Sequence, residues 1–134
     1  MQVKHAPDTA PTLDALYGLI TNDLIRVDET ILSRIGRDVP LVHDVARHII
    51  ASGGKRIRPA ITLVAAQACG YEGTRHVGLA AAVELIHTAT LLHDDVVDES
   101  KLRRGIATSN DVFGNKASVL VGDFLLSQAF QLMV

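Results

Sequence analysis

Three aspartates, Asp94, Asp95 and Asp98, follow directly after the apolar stretch Leu85–Leu92. Burying a carboxylate costs free energy unless it is paired with a cation or bound to a metal ion. A helix that stays apolar up to these acids therefore requires a metal or a basic partner beside them. The segment Arg103-Arg104-Gly105 follows closely, and its two arginines favour an anion. Together these residues predict a site where Mg²⁺ and arginines bind a diphosphate ester.

Helical geometry separates the three acids. Asp94 and Asp98 lie one turn apart on one face, and His87 falls within about 20° of Asp94 and about 10 Å along the axis. Asp95 points about a quarter-turn away, and His93 faces away from Asp94, so we expect His93 to be structural. Carboxylates one turn apart repel unless a cation lies between them, and Mg²⁺ is usually held by one or two carboxylates plus water and phosphate. The alternative is an exposed helix end with solvated acids.

A second candidate segment is Gly53–Pro59, which contains Lys55, Arg56 and Arg58 in a loop that leads into a helix. Cations, glycines and a positive helix N-terminus favour an anion pocket. The segment is not a P-loop, because the earlier glycine and the Ser or Thr after the lysine are absent. Taken alone, the segment is better interpreted as an ordinary basic turn that caps a helix. The combination of two separate basic loops and one acidic helix face in one short chain is stronger evidence for an anion site than either loop alone.

Composition limits the class of protein. Of 134 residues, 48% are hydrophobic and 4% aromatic, which suits a helical protein with a sizeable core. The net charge of −2 argues against a nucleic-acid partner recruited by charge. Cys69 is a single cysteine in an apolar run, so we expect it in the core of a cytoplasmic protein. We expect no transmembrane segment, because no apolar run approaches the ~20 residues of a membrane span.

The hydrophobic spacing predicts an all-α fold without strands. The expected elements are a tail over residues 1–10, a helix from Pro11 that stops at Gly36, a second from Pro40 to Ser52, a third from Pro59 to Cys69, a fourth from Arg75 to Glu99, a loop over 100–114, and a fifth from Lys116 to the last residue. The core is expected to include Leu41, Val45, Ile49, Ile50, Phe113, Phe124 and Phe130. Because the amphipathic pattern of the last helix has no stop signal, we expect a longer protein.

Four segments together resemble a known family. They are Gly53–Pro59, the block His87–Asp98, Arg103-Arg104-Gly105 and Gly122-Asp123. They look like the trans-isoprenyl diphosphate synthases, and most like the long-chain polyprenyl synthases of the octaprenyl diphosphate type. The resemblance covers roughly residues 13–134, so residues 11–134 are interpreted as the N-terminal part of a polyprenyl synthase domain.

The resemblance implies an isoprenoid-synthase-type helical bundle, Mg²⁺ as the cofactor and a homodimer. The implied reaction joins isopentenyl diphosphate to an allylic diphosphate, repeatedly and in trans. The residues implied to act on the allylic diphosphate are the metal ligands Asp94 and Asp98, with Asp95 in the same motif, and Arg103. The residues implied to hold isopentenyl diphosphate are Lys55, Arg58, His87 and Arg104.

Product length and completeness also follow from the resemblance. In the family, bulky residues just before the first aspartate block the growing tail, and here Ala89 and Thr90 are small, which favours a product of about C40 for isoprenoid quinone side chains. A complete member has a second aspartate-rich motif, whereas this sequence has no acidic residue after Asp123. We therefore expect the isolated chain to be inactive in turnover.

Three other interpretations are weaker. An HD-type metal phosphohydrolase would use the doublet His93-Asp94, but it needs further histidines at metal spacing. A di-iron bundle would use Glu84 and His87 as an E-x-x-H motif, but it needs a second such motif and two more glutamates. A non-catalytic subunit with the prenyltransferase fold is disfavoured because the motifs are intact.

Overall fold

The computed structural model of the chain describes residues 10–134. Of the tail predicted over residues 1–10, all but the last position lies outside the described residues. Within the described range the elements are α1 (Leu13–Ile35), α2 (Pro40–Ala51), α3 (Ile57–Ala68), α4 (Arg75–Val97), β1 (Leu102–Arg103), β2 (Ile106–Ala107), α5 (Ser109–Phe113) and α6 (Asn115–Met133). The prediction of a helical fold is confirmed.

Local sequence signals explain where the helices begin and end. The Thr12 side chain accepts a hydrogen bond from the Ala15 amide at 3.1 Å, which caps the start of α1. Gly36 ends α1 with a φ of 65°, a conformation that glycine adopts without strain. Helix α3 begins two residues before the predicted start at Pro59. A proline fits there because the amides of a helix's first turn have no partner within the helix.

The segment between α4 and α6 is more regular than the predicted loop. Strands β1 and β2 form a two-residue antiparallel pair, with Leu102 opposite Ala107 and Arg103 opposite Ile106. Arg104 and Gly105 connect them with φ values of 51° and 77°, as a tight hairpin turn requires. The expectation of no strands was therefore wrong for this hairpin, because two-residue strands are too short to produce a recognisable alternation.

Helix α4 lies at the centre of the bundle and packs against α6, α3 and α1. Small side chains make this packing close, since Ala80, Ala81 and Ala82 of α4 are fully buried. The inward positions predicted for α2 are confirmed for Val45 and Ile49. No described helix is both long enough and apolar enough to cross a membrane.

Three residues predicted for the core are exposed instead. Leu41 is 43% exposed in the first turn of α2, and Phe130 is 57% exposed although its neighbour Ala129 is fully buried. Cys69 is exposed at the C-terminal cap of α3. In each case the residue lies on an outer side of its helix or at its end, where an apolar sequence neighbourhood does not determine burial. Phe113 and Phe124 do pack against the core, half-buried.

Helices α4 and α6 approach each other closely at Gly122, where a Cβ would collide with the His93 ring. The His93 ring lies over this glycine and donates from Nε2 to the Val119 carbonyl oxygen at 3.1 Å. The same nitrogen is 3.4 Å from an Asp123 carboxylate oxygen. A Cβ on Gly122 would lie 2.3 Å from His93 Nε2, which is closer than any real contact. The absence of a side chain at residue 122 therefore leaves the space that the His93 ring occupies, and His93 has the structural position predicted for it.

We predict that Gly122→Ala lowers the free energy of unfolding by about 1–3 kcal/mol, because the new methyl group collides with the His93 ring. In a His93→Ala background the same change should be neutral or stabilising, since the ring is gone and alanine favours a helix. Urea denaturation followed by circular dichroism measures both values. The control is Gly18→Ala, at an exposed glycine of α1 with nothing near its Cβ position, which should stabilise the chain by up to about 1 kcal/mol. Equal effects of Gly122→Ala in both backgrounds would contradict the proposed collision.

Candidate functional site

A cavity of about 700 Å³ opens between the helices and the two basic loops. Isoleucines of α1 and α2 form its apolar wall, together with Leu85, Leu91 and Leu125. Its polar lining consists of Gly53, Gly54, Lys55, Arg56, Arg58, Glu84, His87, Thr88 and Arg104. One wall is thus apolar and the other is strongly basic, which suits a ligand with an anionic head and a hydrocarbon body.

The Gly53–Arg58 loop is fastened to α1 at two points. The Tyr17 hydroxyl donates a hydrogen bond to the Lys55 carbonyl oxygen, and the Arg56 guanidinium forms an ion pair with Asp28. Arg56 is therefore engaged structurally, and Lys55 and Arg58 are the cations of this loop that remain for an anion.

The second basic loop reaches over the first. Arg104 donates from Nη1 to the Gly53 carbonyl oxygen. A Cβ on Gly54 would lie 3.1 Å from the same Nη1 atom, and Gly54 has a φ of 152°. Glycine at this position lets the Arg104 guanidinium rest on the loop backbone, so the two basic segments that are separate in sequence form one anion site.

His87 faces this cavity in its neutral form. Its Nε2 lies 3.3 Å from Arg58 Nη1, and because a guanidinium only donates, the imidazole accepts. Burial lowers the pKa of His87 below its usual value, and the nearby Arg58, Arg104 and Arg103 lower it further. A neutral ring can later gain a proton when an anion enters.

Glu84 is a cavity residue that the sequence analysis considered only for the rejected E-x-x-H motif. Burial raises the pKa of its carboxyl, although Arg56, Arg58 and Arg104 act in the opposite direction. Its spacing of three residues before His87 places both side chains on one face of α4, and this spacing is the signal that could have identified it.

The acidic face lies at the end of α4. Asp94 and Asp98 are both exposed, and neither forms an ion pair with another described residue. Asp98 caps the C-terminus of the helix, where the helix dipole also favours a cation. No group of three or more potential metal-ligating side chains occurs among the described residues. Two free carboxylates without a complete protein cage fit Mg²⁺, which completes its octahedron with water and phosphate oxygens.

Asp95 has a different environment from its two neighbours. It is only 3% exposed and accepts two hydrogen bonds from Arg103, at 3.0 Å from Nε and 2.7 Å from Nη2. The hydrogen bonds that Arg103 donates to Asp95 raise the pKa of Arg103 further above its already high value. The pair fastens the hairpin to α4 and turns Asp95 away from the acidic face. Arg103 Nη1 makes no hydrogen bond within residues 10–134 and could still meet an anion.

The structure brings together four of the predicted residues in one cavity, namely Lys55, Arg58, His87 and Arg104. The acidic face is outside this cavity, about two helical turns or 10 Å further along α4. The two residues predicted to control product length do not line the cavity. Ala89 is buried in the core, and Thr90 is exposed, with its hydroxyl donating to the His87 carbonyl oxygen at 2.6 Å.

Comparison with known proteins gives a consistent set of relatives. The family model for polyprenyl synthetase matches residues 39–134. The octaprenyl diphosphate synthase of Escherichia coli (strain K12) is 54% identical over 121 residues, which are 90% of this chain and 38% of that protein. The chain thus spans about 38% of the length of the curated relatives that it matches.

Solved structures agree with the sequence relatives. The decaprenyl diphosphate synthase from Rhodobacter capsulatus superposes with a TM-score of 0.87 at 52% identity, covering 90% of this chain and 37% of that one. A polyprenyl synthase from Caulobacter crescentus CB15, complexed with calcium and isoprenyl diphosphate, gives a TM-score of 0.88 at 48% identity, covering 95% and 39%. Both similarities extend over nearly all of the described fold.

We predict that Arg103→Met lowers the free energy of unfolding by about 3 kcal/mol, because Asp95 is then left buried without its partner. The free energy of unfolding should fall less in the double variant Asp95→Leu/Arg103→Met than in Arg103→Met alone, because no unpaired charge remains buried. Chemical denaturation of the purified variants measures both. Arg26→Met is the control, because the Arg26 side chain is 63% exposed and its partner Asp23 keeps a second contact with His76. This variant should change stability by less than about 1 kcal/mol. Additive losses in the double variant would argue against a coupled pair.

We predict that anion binding in the cavity takes up a proton at His87. Burial and the nearby arginines lower the pKa of His87 in the free protein, and a bound anion offsets the arginine charges and raises it. Affinity should therefore increase as the pH falls through the raised pKa of the complex, and level off below the lowered pKa of the free protein. Titration calorimetry with inorganic pyrophosphate, in buffers of different ionisation enthalpy, measures the proton uptake. Pyrophosphate also titrates in this range. Subtracting the proton uptake measured with His87→Gln from that of the wild type removes this contribution. Equal proton uptake in both proteins would exclude His87 as the site.

Proposed function

The chain belongs to the polyprenyl synthetase family, and we propose that it contributes two substrate sites to a trans-polyprenyl diphosphate synthase. The resemblance predicted from the motifs is thereby confirmed at the level of the family. The observation that carries the proposal is the separation of a basic cavity, formed by Lys55, Arg58, His87 and Arg104, from the exposed carboxylates further along the same helix. Two anions are then held by two different chemistries.

The basic cavity is proposed to hold isopentenyl diphosphate. This substrate must keep its diphosphate during the reaction, so a site that binds the anion with hydrogen-bond donors, without a metal to pull charge from the C–O bond, is suitable. Lys55, Arg58 and Arg104 supply those donors, and His87 supplies another after gaining a proton. The apolar wall, including Leu85, faces the same cavity and suits the isopentenyl group.

The acidic face is proposed to hold the allylic diphosphate. Mg²⁺ bound by Asp94 and Asp98 would stabilise the charge that develops on the departing diphosphate. Arg103 would add a donor from its free Nη1, while its other nitrogens remain on Asp95. Asp95 would then act indirectly, by orienting Arg103.

The proposed reaction moves one C–O bonding pair onto the allylic diphosphate and leaves an allylic cation. The double bond of isopentenyl diphosphate forms the new C–C bond to that cation, and loss of a proton restores a double bond, with the departed diphosphate as the acceptor. The chain's contribution is to hold the two reactants in place and to keep water from the cation with apolar side chains.

The product is proposed to be a long all-trans polyprenyl diphosphate of about C40, used for isoprenoid quinone side chains. Small residues at Ala89 and Thr90 support this, as do relatives named octaprenyl, nonaprenyl and decaprenyl diphosphate synthases. A homodimer in the cytoplasm is proposed by analogy with the family.

The alternatives are less well supported. An HD-type phosphohydrolase would need His93 as a metal ligand, but its Nε2 donates to the Val119 carbonyl oxygen, and no three-ligand cluster occurs in the described part of the chain. A non-catalytic subunit would not need a basic cavity beside an intact pair of free carboxylates.

We predict that Asp94→Asn/Asp98→Asn weakens Mg²⁺-dependent binding of farnesyl diphosphate at least about tenfold, since each charge-assisted contact contributes about 1.5–3 kcal/mol. Binding of isopentenyl diphosphate without Mg²⁺ should change less than about twofold. The variant Lys55→Ala/Arg58→Ala should show the opposite pattern, and titration calorimetry of the purified chain measures all four affinities. If both variants weaken both ligands equally, the proposal of two separate sites is wrong.

Because the chain spans 38% of its relatives' length, turnover is best tested in a hybrid. In it the chain replaces the matched segment of the E. coli octaprenyl diphosphate synthase. The hybrid, given isopentenyl diphosphate and labelled farnesyl diphosphate, should form products near C40 by mass spectrometry. Products that stop at C20 would contradict the proposed length.

A further inference from the structure

His48 makes an unusual contact between α2 and the hairpin. Its Nε2 lies 2.6 Å from the carbonyl oxygen of Ala107, 59 residues away in the sequence. Because a carbonyl oxygen only accepts, Nε2 must carry a hydrogen in this contact. The ring also packs edge-on against Phe113, with 5.7 Å between ring centroids and 81° between planes. One half-buried side chain therefore holds both the end of β2 and the helix that follows it.

The position of Ala107 is coupled to that of the hairpin arginines by the pairing of the two strands. Ala107 pairs with Leu102, and Ile106 pairs with Arg103. Beyond the strands, the Thr108 amide donates to the Lys101 carbonyl oxygen at 3.0 Å. The hydroxyl of Thr108 and the side-chain amide of Asn110 both donate to the Ser100 carbonyl oxygen, at 2.8 and 2.9 Å. The hairpin is thus closed by hydrogen bonds at its base, and a shift of Ala107 displaces β1 with it.

Besides the His48 contact, two side-chain contacts among the described residues join residues 102–107 to other elements, and both use an arginine proposed to bind substrate. Arg103 is bound to Asp95 of α4, and Arg104 is bound to the Gly53 carbonyl oxygen. An incoming diphosphate competes for Arg104 Nη1, whereas Arg103 can meet the ligand with Nη1 and keep Nε and Nη2 on Asp95. The His48 contact uses no substrate-binding side chain, so it persists when a ligand enters.

His48 is also linked to the other basic loop, through the helix on which it lies. It lies on α2, which ends at Ala51 immediately before Ser52, Gly53 and Gly54. His48 holds Ala107 from this helix. The contact therefore fixes the position of the hairpin relative to the Gly53–Arg58 loop, with α2 between them. The direct contact between the two loops, from Arg104 to the Gly53 carbonyl oxygen, uses the guanidinium that a ligand would take.

We propose that His48 is a positioning residue, which holds the Arg103–Arg104 hairpin against α2 so that both arginines are pre-organised for diphosphate. This inference rests on the proposed function of the basic cavity. Pre-organisation raises affinity because the donors lose less conformational freedom on binding. Removal of the Nε2 donor should therefore weaken anion binding although His48 touches no anion.

The test compares three variants of the full chain by calorimetry with inorganic pyrophosphate. His48→Phe keeps a ring against Phe113 and removes the donor, so affinity should fall about three- to tenfold. His48→Gln keeps an amide donor of similar reach and should recover most of the loss. His48→Asn has the same amide on a shorter side chain and should behave like His48→Phe, which preserves the comparison if the aromatic variant does not fold.

His43→Phe is the matched control. His43 is the other half-buried histidine of α2, and its Nδ1 contacts the Gly36 carbonyl oxygen at 3.3 Å, away from the hairpin. Its replacement should leave pyrophosphate affinity unchanged. A purely structural role for His48 would lower the unfolding midpoint of His48→Phe without a change in affinity below that midpoint.

Amide hydrogen exchange over residues 102–107 provides a readout that is independent of ligand. Exchange should accelerate in His48→Phe and His48→Asn and remain near the wild-type rate in His48→Gln and His43→Phe. If the wild type binds no pyrophosphate, the proposed function of the cavity fails, and the exchange rates still decide whether His48 fastens the hairpin. Wild-type affinity and wild-type exchange in His48→Phe would overturn the proposal.

Discussion

The buried ion pair between Asp95 and Arg103 determines the arrangement of everything around the end of α4. A carboxylate that is 3% exposed requires a charged donor, and the two hydrogen bonds from Arg103 satisfy it. Because neighbouring residues of a helix are about 100° apart, burying Asp95 directs Asp94 outward. The same pair draws the hairpin back onto the bundle. One ion pair thus exposes the acidic face and positions the second basic segment.

The cavity is basic but its charge is moderated by two titratable groups. Burial lowers the pKa of His87, Arg58 and Arg104 lower it further, and Glu84 lies among the same arginines. A neutral imidazole adds no repulsion to the free cavity, and it gains a proton most readily when an anion is present. His87 therefore becomes positively charged when that charge stabilises the ligand, and the free protein avoids an additional buried cation.

The helices were predictable from the sequence because their signals are local. Gly36 ends α1, Pro40 begins α2, and a run of strong helix formers specifies the body of α4. The membership of Lys55, Arg58, His87 and Arg104 in one site was also predicted, on the resemblance of their motifs. By contrast, the exposure of Leu41 and Phe130 depends on which neighbour packs beside them. The His48 contact with Ala107 joins residues 59 positions apart, and no spacing along the chain encodes it.

The adjacency of Arg103 and Arg104 has an electrostatic reason. The two proposed diphosphate sites lie about 10 Å apart along α4, so their ligands would repel each other by about 2 kcal/mol for each pair of unit charges, at an effective dielectric constant near 20. Salt screens such a separation only partly, since the Debye length is of similar size. Adjacent residues of one hairpin direct one guanidinium to the acidic end of α4 and the other to the basic loop. The hairpin thus places positive charge between the two sites, where it reduces repulsion for both ligands at once, and this requires its position to be fixed.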